Sequence, residues 1–377
     1  MPATRGAPDR IRTPFAVLPG ETVDERLRLR NMSQSELARR MDRPIKTINE
    51  IIKGKAAITP DTAIQLERVL GFSATFWNNL ERNYREDVAR IEERRQLAKQ
   101  TSWLLQFPLN DMVKLGAPLR SFPDSVDQLE ELLRFFGVSS PAAWEKQSAA
   151  TGALFRQSVV YAAHRPAVEA WLRWAEIAAD RVQCKPFDEA VFRSALKQIR
   201  GLTREEPEGW YPKAIELCAT AGVALVFIPE LPKTRASGAA KWLSPTKAMI
   251  ALSLYGKRAD IMWFTFFHEA AHILFHGRRD QFVDDANDPG RGSQDQREEE
   301  ANGFARDFLI SPTDYETIRR THQNSKRVIS RFADSIGVDA GIVVGRLQHD
   351  KFLAPNYCTE LRRGINWAPP EPAGEAE

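Results

Sequence analysis

The chain has 377 residues, enough for two or more domains, and its 53 Lys and Arg residues nearly balance its 50 Asp and Glu residues, for a net charge of +3. This balance excludes a polybasic protein of the histone type, and 43% hydrophobic with 27% charged residues is typical of globular proteins. No apolar run approaches the roughly 18 residues of a membrane helix, the N-terminus lacks a secretory signal, and the three cysteines form no CxxC pair. The sequence therefore predicts a cytoplasmic protein with no membrane partner and no disulfide framework.

The first part of the chain predicts a flexible arm followed by a compact helical domain. Residues 1–19 are rich in Pro, Gly and Arg, whereas residues 20–85 contain five short helical segments. Ser33 precedes Glu36 by three residues, as in a capping box, and Thr59 precedes a proline, which favours the first position of a helix. These boundaries predict an all-α domain over residues 20–85.

Residues 33–54 predict two helices joined by a tight turn. The inward face is expected to comprise Leu37, Met41, Ile45, Ile48 and Ile51. The second helix would then present polar side chains outward, and Asn and Lys suit base edges and phosphates in a major groove. The candidate DNA-binding residues are Gln34, Lys46, Thr47, Asn49, Glu50 and Lys53.

The segment MSQSELARRMDRPIKTINEIIKGKAAITPDTAIQLERVLGFSATFWNNL resembles the XRE (Cro/C1-type) helix-turn-helix, most closely the HigA/VapI antitoxin subgroup. Its Ile-Thr-Pro-Asp-Thr-Ala stretch and Phe-Trp-x-x-Leu ending carry the match. The resemblance implies a homodimer that binds two half-sites of an operator in double-stranded DNA. Asp42 stands where glycine is common, which predicts a slightly strained turn. The alternative is a helical bundle that binds protein and not DNA.

The rest of the chain predicts a helical region followed by a small mixed domain. Residues 86–185 have the apolar spacing of helices and form a connector of unknown role, in which Trp144, Trp171 and Trp174 are expected in the core. Residues 222–229 and 247–255 read as strands, residues 238–244 are a possible third strand, and residues 321–377 predict a helical segment with a disordered tail. The predicted fold class is mainly α with a small α+β part.

His268, Glu269 and His272 lie in the sequence HEAAH, which fits the H-E-x-x-H pattern. Two histidines four residues apart share one face of a helix and can chelate one ion. Glu269 lies about 100° round the helix, beside the metal and not on it, where a general base for a bound water is needed. The pattern predicts a catalytic metal centre.

A catalytic zinc needs a third protein ligand, with the fourth position left for water. His276 is unsuitable, because eight helical residues place it about 12 Å along the axis from His268. The following predicted helix, REEEANGFARDFLIS, is the better source. Glu298 and Glu300 both border its inward face, and we select Glu298 as the ligand with Glu300 as the second choice.

The segments SGAAKWLSPTKAMIALSL, WFTFFHEAAHILFHG and EEEANGFARDFLISP resemble the ImmA/IrrE family of zinc metallopeptidases over residues 186–320. The resemblance implies Zn²⁺ bound by His268, His272 and Glu298, with Glu269 as the catalytic acid and base. One departure is Ala271, which stands where the family usually has glycine before the second histidine. Alanine is compatible with the same close helix packing.

Two functions follow from these resemblances. The first is a DNA-binding transcriptional regulator fused to a zinc endopeptidase, which by analogy cleaves a repressor or antitoxin of the XRE type and derepresses stress or mobile-element genes. The alternative is a HigA-like antitoxin or repressor whose metal domain is a sensor or structural module without proteolysis. The alternative needs a fourth protein ligand to close the metal site, and Asp284 and Asp285 are the candidates.

Overall fold

The computed structural model describes residues 15–155, 159–232, 234, 237–253, 258–276, 294–321 and 325–365, without the side chains of residues 150–155, 159–164, 294 and 295. The chain folds into two compact units. The first comprises Met1–Ser102 with Asp124–Leu129, and the second comprises Trp103–Pro123 with Glu130–Glu377.

The first unit contains five helices in succession. They are α1 (Pro19–Leu29), α2 (Gln34–Arg40), α3 (Ile45–Ile52), α4 (Pro60–Leu70) and α5 (Ala74–Ala98). Side-chain oxygens of Ser33 and Thr59 accept hydrogen bonds from backbone N–H groups at the starts of α2 and α4, which confirms the two predicted caps, and Ser73 caps the start of α5 in the same way. The reciprocal half of the capping box differs, because the Glu36 carboxylate accepts from Arg40.

α5 is longer than the short helix that the sequence predicts, since it extends beyond Arg85 to Ala98. No glycine or proline interrupts this stretch. Ion pairs one turn apart support the exposed part: Arg85 lies 2.7 Å from Glu81, and Arg90 lies 2.8 Å from Glu86.

The core of the first unit lies between α1, α2, α3, α4 and the start of α5. It comprises Val23, Leu27, Leu37, Ala38, Met41, Ile48, Ile51, Ile58, Ala63, Leu66, Leu70 and Trp77. The prediction that Ile45 faces inward is wrong, because this first residue of α3 is 52% exposed beside the exposed cap residue Pro44. Asp42 has a φ of 50°, so the turn between α2 and α3 does hold a non-glycine residue in the left-handed region.

The second unit begins with helices around an aromatic cluster. A 3₁₀ helix (Thr101–Gln106), most of which belongs to this unit, precedes α6 (Leu109–Lys114). α7 (Ser125–Phe136) begins in the first unit and ends in the second, and α8 (Pro141–Phe155) and α9 (Val159–Arg181) follow it. The ring centroids of Trp103, Phe107, Phe136 and Trp144 lie 4.7 to 6.1 Å apart. The prediction that Trp144, Trp171 and Trp174 belong to the core is confirmed, since all three are buried.

In the described part of the chain, the rest of the second unit comprises three strands, seven α-helices and a short 3₁₀ helix (Thr359–Leu361). The order of the strands and α-helices is α10 (Glu189–Leu202), α11 (Pro207–Thr220), β1 (Val223–Phe227), β2 (Gly238–Ser244), β3 (Lys247–Leu252), α12 (Ala259–Phe275), α13 (Gln294–Leu309), α14 (Pro312–Arg320), α15 (Lys326–Ile336) and α16 (Ala340–His349). β3 is central, parallel to β1 and antiparallel to β2, with Val223 opposite Ala248 and Gly238 opposite Leu252. All three predicted strands are therefore present, and the fold is mainly α with a small α+β part.

α12 is the central helix of this core and packs against β2, β3, α13 and α16. Its buried residues include Met262, Trp263, Phe266, Phe267, Ala270 and Ile273. Phe264 and Phe275, by contrast, are 37% and 46% exposed on the face of α12 that carries the histidines. Among the described residues, no helix is long and apolar enough to cross a membrane.

Candidate metal centre and nucleic-acid surface

α12 places His268 and His272 one turn apart on the same face. Their imidazole centroids are 4.7 Å apart, and the two Nε2 atoms are 3.0 Å apart. Because Phe267 and Ala270 on the same helix are completely buried, the helix cannot rotate without opening the core. The two nitrogens are thus held together by the packing of α12.

α13 brings Glu298 to the same point. One carboxylate oxygen of Glu298 lies 3.2 Å from Nε2 of His268, and the other lies 3.5 Å from Nε2 of His272. The two helices run in opposite directions, since His276 near the end of α12 contacts Glu300 while Phe267 contacts Phe308 further along α13. Within the described part of the chain, these three residues form the one His, Cys, Asp or Glu group able to hold a metal ion, with ligand atoms within 4.8 Å of one another.

The donor set fits a tetrahedral metal ion. Bonds of about 2.0 to 2.2 Å at tetrahedral angles put neighbouring ligand atoms about 3.3 Å apart, close to the three separations found here. Two imidazole nitrogens and one carboxylate oxygen are ligands that zinc accepts. The arrangement leaves a fourth position for water or substrate, provided that no further protein ligand occupies it.

The second-choice ligand, Glu300, lies outside this group. Its carboxylate contacts Nε2 of His276 at 2.9 Å, and Nδ1 of His276 lies 3.0 Å from Nδ1 of His272. His276 itself is the C-cap residue of α12, as its position in the sequence suggests. The candidate fourth ligands Asp284 and Asp285 lie outside the described residues.

Asn302 is a site residue that sequence reasoning missed. Its side-chain oxygen lies 3.0 Å from Nδ1 of His268, so the imidazole can donate its Nδ1–H to the amide and present a lone pair at Nε2. A signal is present in the sequence, because Asn302 follows Glu298 by four residues and lies on the same face of α13.

Glu269 is buried on the side of α12 that faces β2. Burial raises the pKa of its carboxyl group to about 7, although the charge of His268 and a hydrogen bond from the backbone of Ala240 oppose that rise. Gly238, also on β2, approaches so closely that a Cβ atom there would lie 2.9 Å from Oε1 of Glu269. This carboxyl group can exchange a proton near neutral pH.

The electrostatics of two of the three ligand residues, His272 and Glu298, suit metal binding. Burial and the neighbouring His268 lower the pKa of His272, which favours the neutral imidazole that binds metals. A hydrogen bond from His268 lowers the pKa of Glu298, which favours the carboxylate. For His268, burial acts downward, but the hydrogen bond and charge of Glu298 and the charge of Glu269 raise its pKa.

A cavity of about 380 Å³ adjoins the metal centre between α12, α13 and α16. Phe264 and Asn302, both of which contact His268, contribute to its wall. Aliphatic side chains such as Ile261, Leu309 and Ile342 line much of the rest. The size lies within the range of small-molecule and side-chain pockets.

In the first unit, the candidate DNA-binding residues lie on α2 and at the outer side of α3. Lys46 and Lys53 are exposed, whereas Thr47, Asn49 and Glu50 are partly buried. The side chain of Asn49 donates a hydrogen bond of 3.3 Å to the side chain of Gln34 at the start of α2. Lys46 Nζ lies 3.9 Å from a Glu50 carboxylate oxygen, one turn further along α3.

Two family models match the sequence. A model of the helix-turn-helix family matches residues 24–77, and a model of the IrrE N-terminal-like domain, peptidase family M78, matches residues 222–348. The second match covers β1 to α16 with the whole candidate metal centre. The two expected resemblances are therefore confirmed.

Two curated relatives match a part of the chain. The uncharacterised HTH-type transcriptional regulator YddM of Escherichia coli K12 is 41% identical over 63 residues, 17% of this chain and 67% of that protein. Virulence-associated protein I of Dichelobacter nodosus is 34% identical over 82 residues, 22% of this chain and 74% of that protein.

Two solved structures are also similar over 22% of this chain and 92% of their own. An addiction module antidote protein of the HigA family from Coxiella burnetii is 32% identical, with a TM-score of 0.21. An antidote protein of a plasmid maintenance system from Nostoc punctiforme is 26% identical, with a TM-score of 0.22.

Proposed function

From a chain that belongs to the helix-turn-helix regulator family and carries an IrrE-like peptidase domain, we propose a transcription regulator joined to a zinc endopeptidase that cleaves a repressor or antitoxin protein. The observation that carries the proposal is the convergence of His268, His272 and Glu298 beside the buried carboxyl group of Glu269. A metal site without turnover has no need of that fourth residue.

His268 and His272 would bind Zn²⁺ through Nε2, and Glu298 through its carboxylate. When bound, Zn²⁺ polarises the carbonyl group of the scissile peptide and acidifies a water molecule. The carboxylate of Glu269 accepts a proton from the attacking water and delivers it to the nitrogen of the leaving amine. Burial raises the pKa of Glu269, which favours a carboxyl group that can both accept and deliver a proton.

The first unit supplies the DNA-binding function. α3 would enter the major groove of an operator, where Lys46, Thr47, Asn49, Glu50 and Lys53 face base edges and phosphates, with Gln34 at the start of α2 beside them. The hydrogen bond from Asn49 to Gln34 supports this assignment, because it holds two polar side chains in one orientation on that face. Domains of this kind bind as dimers, so we propose a homodimer on a two-fold operator.

The test measures metal binding and proteolysis separately. Zinc stoichiometry is determined for the wild type, Glu298→Gln and the matched control Glu299→Gln, whose side chain is exposed on the same helix. The wild type and Glu269→Gln are then incubated with helix-turn-helix repressors encoded near the gene. We expect zinc in the wild type and the control, loss of zinc in Glu298→Gln, and cleavage by the wild type alone.

Other results have definite meanings. Zinc binding without cleavage of any repressor would favour a regulator whose metal domain is a sensor or structural module. Absence of zinc in the wild type would overturn the metal centre altogether.

DNA binding is tested by Lys46→Ala and Lys53→Ala on a selected operator. The logarithm of the binding constant falls linearly with the logarithm of the salt concentration. If each lysine contacts one phosphate, each substitution makes this slope less steep by about 1. Lys99→Ala, at the exposed end of α5, is the control and should leave the slope unchanged. Unchanged slopes in all three variants would contradict the placement of α3 on DNA.

A further inference from the structure

Two polar side chains beside the proposed zinc ligands have no role in the function described so far. His276, the C-cap residue of α12, has a largely buried side chain that is only 9% exposed. It lies between His272, one turn earlier, and Glu300 on α13, with contacts of 3.0 and 2.9 Å. A buried imidazole with both ring nitrogens in contact with polar atoms is held in one orientation.

The chemistry of His272, His276 and Glu300 determines which atom donates and which accepts in each hydrogen bond. An ionised carboxylate only accepts hydrogen bonds, so Nε2–H of His276 donates to Glu300. A neutral imidazole has one N–H, which leaves a lone pair on Nδ1 of His276 to accept from Nδ1–H of His272. His272 then carries its own lone pair on Nε2, the atom that faces Glu298 and His268.

The two ligand histidines differ in the hydrogen-bond partner of their Nδ1 atoms. His268 is oriented by the neutral amide of Asn302, whereas the hydrogen bonds from His272 lead through a second imidazole to a negative charge. A carboxylate at the end of such a chain increases the electron density on the ligand nitrogen and makes it a stronger metal donor.

We propose that His276 and Glu300 are positioning residues that set the tautomer and the donor strength of His272. This inference rests on the proposed metal centre and names the groups that support one of its ligands. Neither residue contacts the metal or the substrate in this scheme, so both act through His272.

The packing of α12 and α13 places His276 and Glu300 where they can orient His272. The backbone N–H of His276 donates to the carbonyl of His272, which keeps the side chain over the ligand one turn away. Glu300 lies on the part of α13 next to the end of α12, and its side chain is 54% exposed, so it accepts from His276 without the cost of burying a charge.

The experiment measures zinc affinity on the full chain by competition with a chromogenic chelator. His276→Phe keeps a ring of similar shape but removes both hydrogen bonds, and zinc should bind about 10- to 100-fold more weakly. His276→Asn retains an acceptor near the position of Nδ1 and should recover part of this loss. Glu300→Gln should give a smaller loss than His276→Phe, and Glu299→Gln should match the wild type.

A second readout separates positioning from general loosening of the domain. Cobalt(II) replaces zinc in the same variants, and its visible absorption spectrum reports the geometry and donor strength of the ligands. We expect the spectrum to change in His276→Phe and in Glu300→Gln, and to remain unchanged in Glu299→Gln. Circular dichroism confirms that each variant is folded, and if His276→Phe is not, the half-exposed Glu300→Gln variant decides.

The possible failures are distinguishable. Wild-type zinc affinity and cobalt spectra in both His276→Phe and Glu300→Gln would overturn the inference but leave the proposed function intact. Equal losses in His276→Phe and His276→Asn with an unchanged spectrum would assign the effect to packing and also overturn it. A wild type that binds neither metal would refute the metal centre and the inference together.

Discussion

Gly238 brings the edge strand β2 against α12, the helix that carries His268, Glu269 and His272. A Cβ atom at this position would lie 2.5 Å from Cγ2 of Thr265 and 2.9 Å from Oε1 of Glu269, so the strand or the carboxyl group would have to move. Real side chains do not tolerate such separations. The absence of a side chain at Gly238 therefore allows Glu269 its present position.

The substitution Gly238→Ala should lower the rate of peptide cleavage at least 10-fold, because a displacement of about 1 Å at a catalytic group can cost about 100-fold. Zinc affinity should stay near the wild-type value, since the three proposed ligands do not contact residue 238. Gly201→Ala, on α10, is the control, because a Cβ atom there meets open space. Cleavage by Gly238→Ala at the wild-type rate would show that the close contact has no catalytic importance.

At the level of single residues, the spacing of one helical turn predicts that His268 and His272 share a face with Glu269 beside it. The inward stripe of the next helix leaves both Glu298 and Glu300 as candidate ligands, and the packing of the two helices brings Glu298 close to the histidines. The contact between His276 and Glu300 depends on how α12 and α13 pack, which no local pattern contains. The wrong prediction that Ile45 faces inward has the same cause, since its exposure also depends on how neighbouring helices pack, which periodicity does not show.

Arg200 connects α10 to the ends of two other helices. Its guanidinium donates to the carbonyl oxygens of Phe308 and Leu309 at the end of α13, at 2.9 to 3.1 Å, and to that of Ile336 at the end of α15, at 2.9 Å. Carbonyl groups at a helix end lack partners within their own helix, and a cation there also suits the helix dipole. Arg200 therefore caps the C-terminal end of α13, the helix that carries Glu298.

The substitution Arg200→Met should destabilise the second unit by about 2 to 4 kcal/mol, since several hydrogen bonds to a charged donor are lost together. Thermal unfolding followed by circular dichroism measures the change. Lys197→Met, on an exposed position of the same helix, should stay within about 0.5 kcal/mol of the wild type. Similar effects in both variants would mean that Arg200 does not cap the two helices.

Asp350, after the end of α16, links that helix to α14. Tyr315 O–H donates to its carboxylate at 2.5 Å and Arg346 Nε at 2.6 Å. Although partial burial acts in the other direction, hydrogen bonds from Tyr315, His349 and Arg346 lower the pKa of Asp350 from 3.8 to about 2. A lowered pKa means that the folded chain favours the ionised carboxylate more than the unfolded chain does.

The stability from Asp350 is therefore present above pH 4 and is lost as the pH falls from about 4 towards 2. Asp350→Asn should be about 1 kcal/mol less stable than the wild type at pH 7, and the difference should shrink at pH 3. Urea midpoints of both proteins at pH 7, 4 and 3 provide the test. A difference that does not change over this range would contradict the assignment to the ionised carboxylate.

At the level of elements, the sequence predicts that a helix or strand exists more accurately than it predicts where that element ends. β2 and the capped starts of α2, α4 and α5 follow from short local signals that the structure retains. The sequence misplaces the end of α5 because a boundary is expected near Arg85, where no glycine or proline ends the helix, and ion pairs of opposite sign one turn apart run through this stretch. Arg200 cannot be assigned a role from sequence, since its three acceptors lie more than 100 residues away.

The division of the chain into two units predicts separate responses to the two proposed ligands. Calorimetry of the full chain should show two unfolding transitions. Zinc at 100 times its dissociation constant should stabilise the second unit by about 2.7 kcal/mol and raise only its transition temperature. Operator DNA should raise only the other transition, and a joint shift of both by either ligand would contradict independent units.

The end of the described chain, residues 362–364, packs against the beginning of α12. Gly364 pairs with Arg258, Ala259 N–H donates to the carbonyl of Arg363, and the guanidinium of Arg362 bonds to the buried carboxylate of Asp260. The IrrE-like match ends at residue 348, before any of these partners. A protein shortened to the matched segment would lose the guanidinium that pairs with Asp260 and the two backbone contacts at the start of α12. The boundary of sequence similarity is thus not the boundary of the folding unit, and residues 362–364 anchor the start of the helix where the chemistry is proposed to occur.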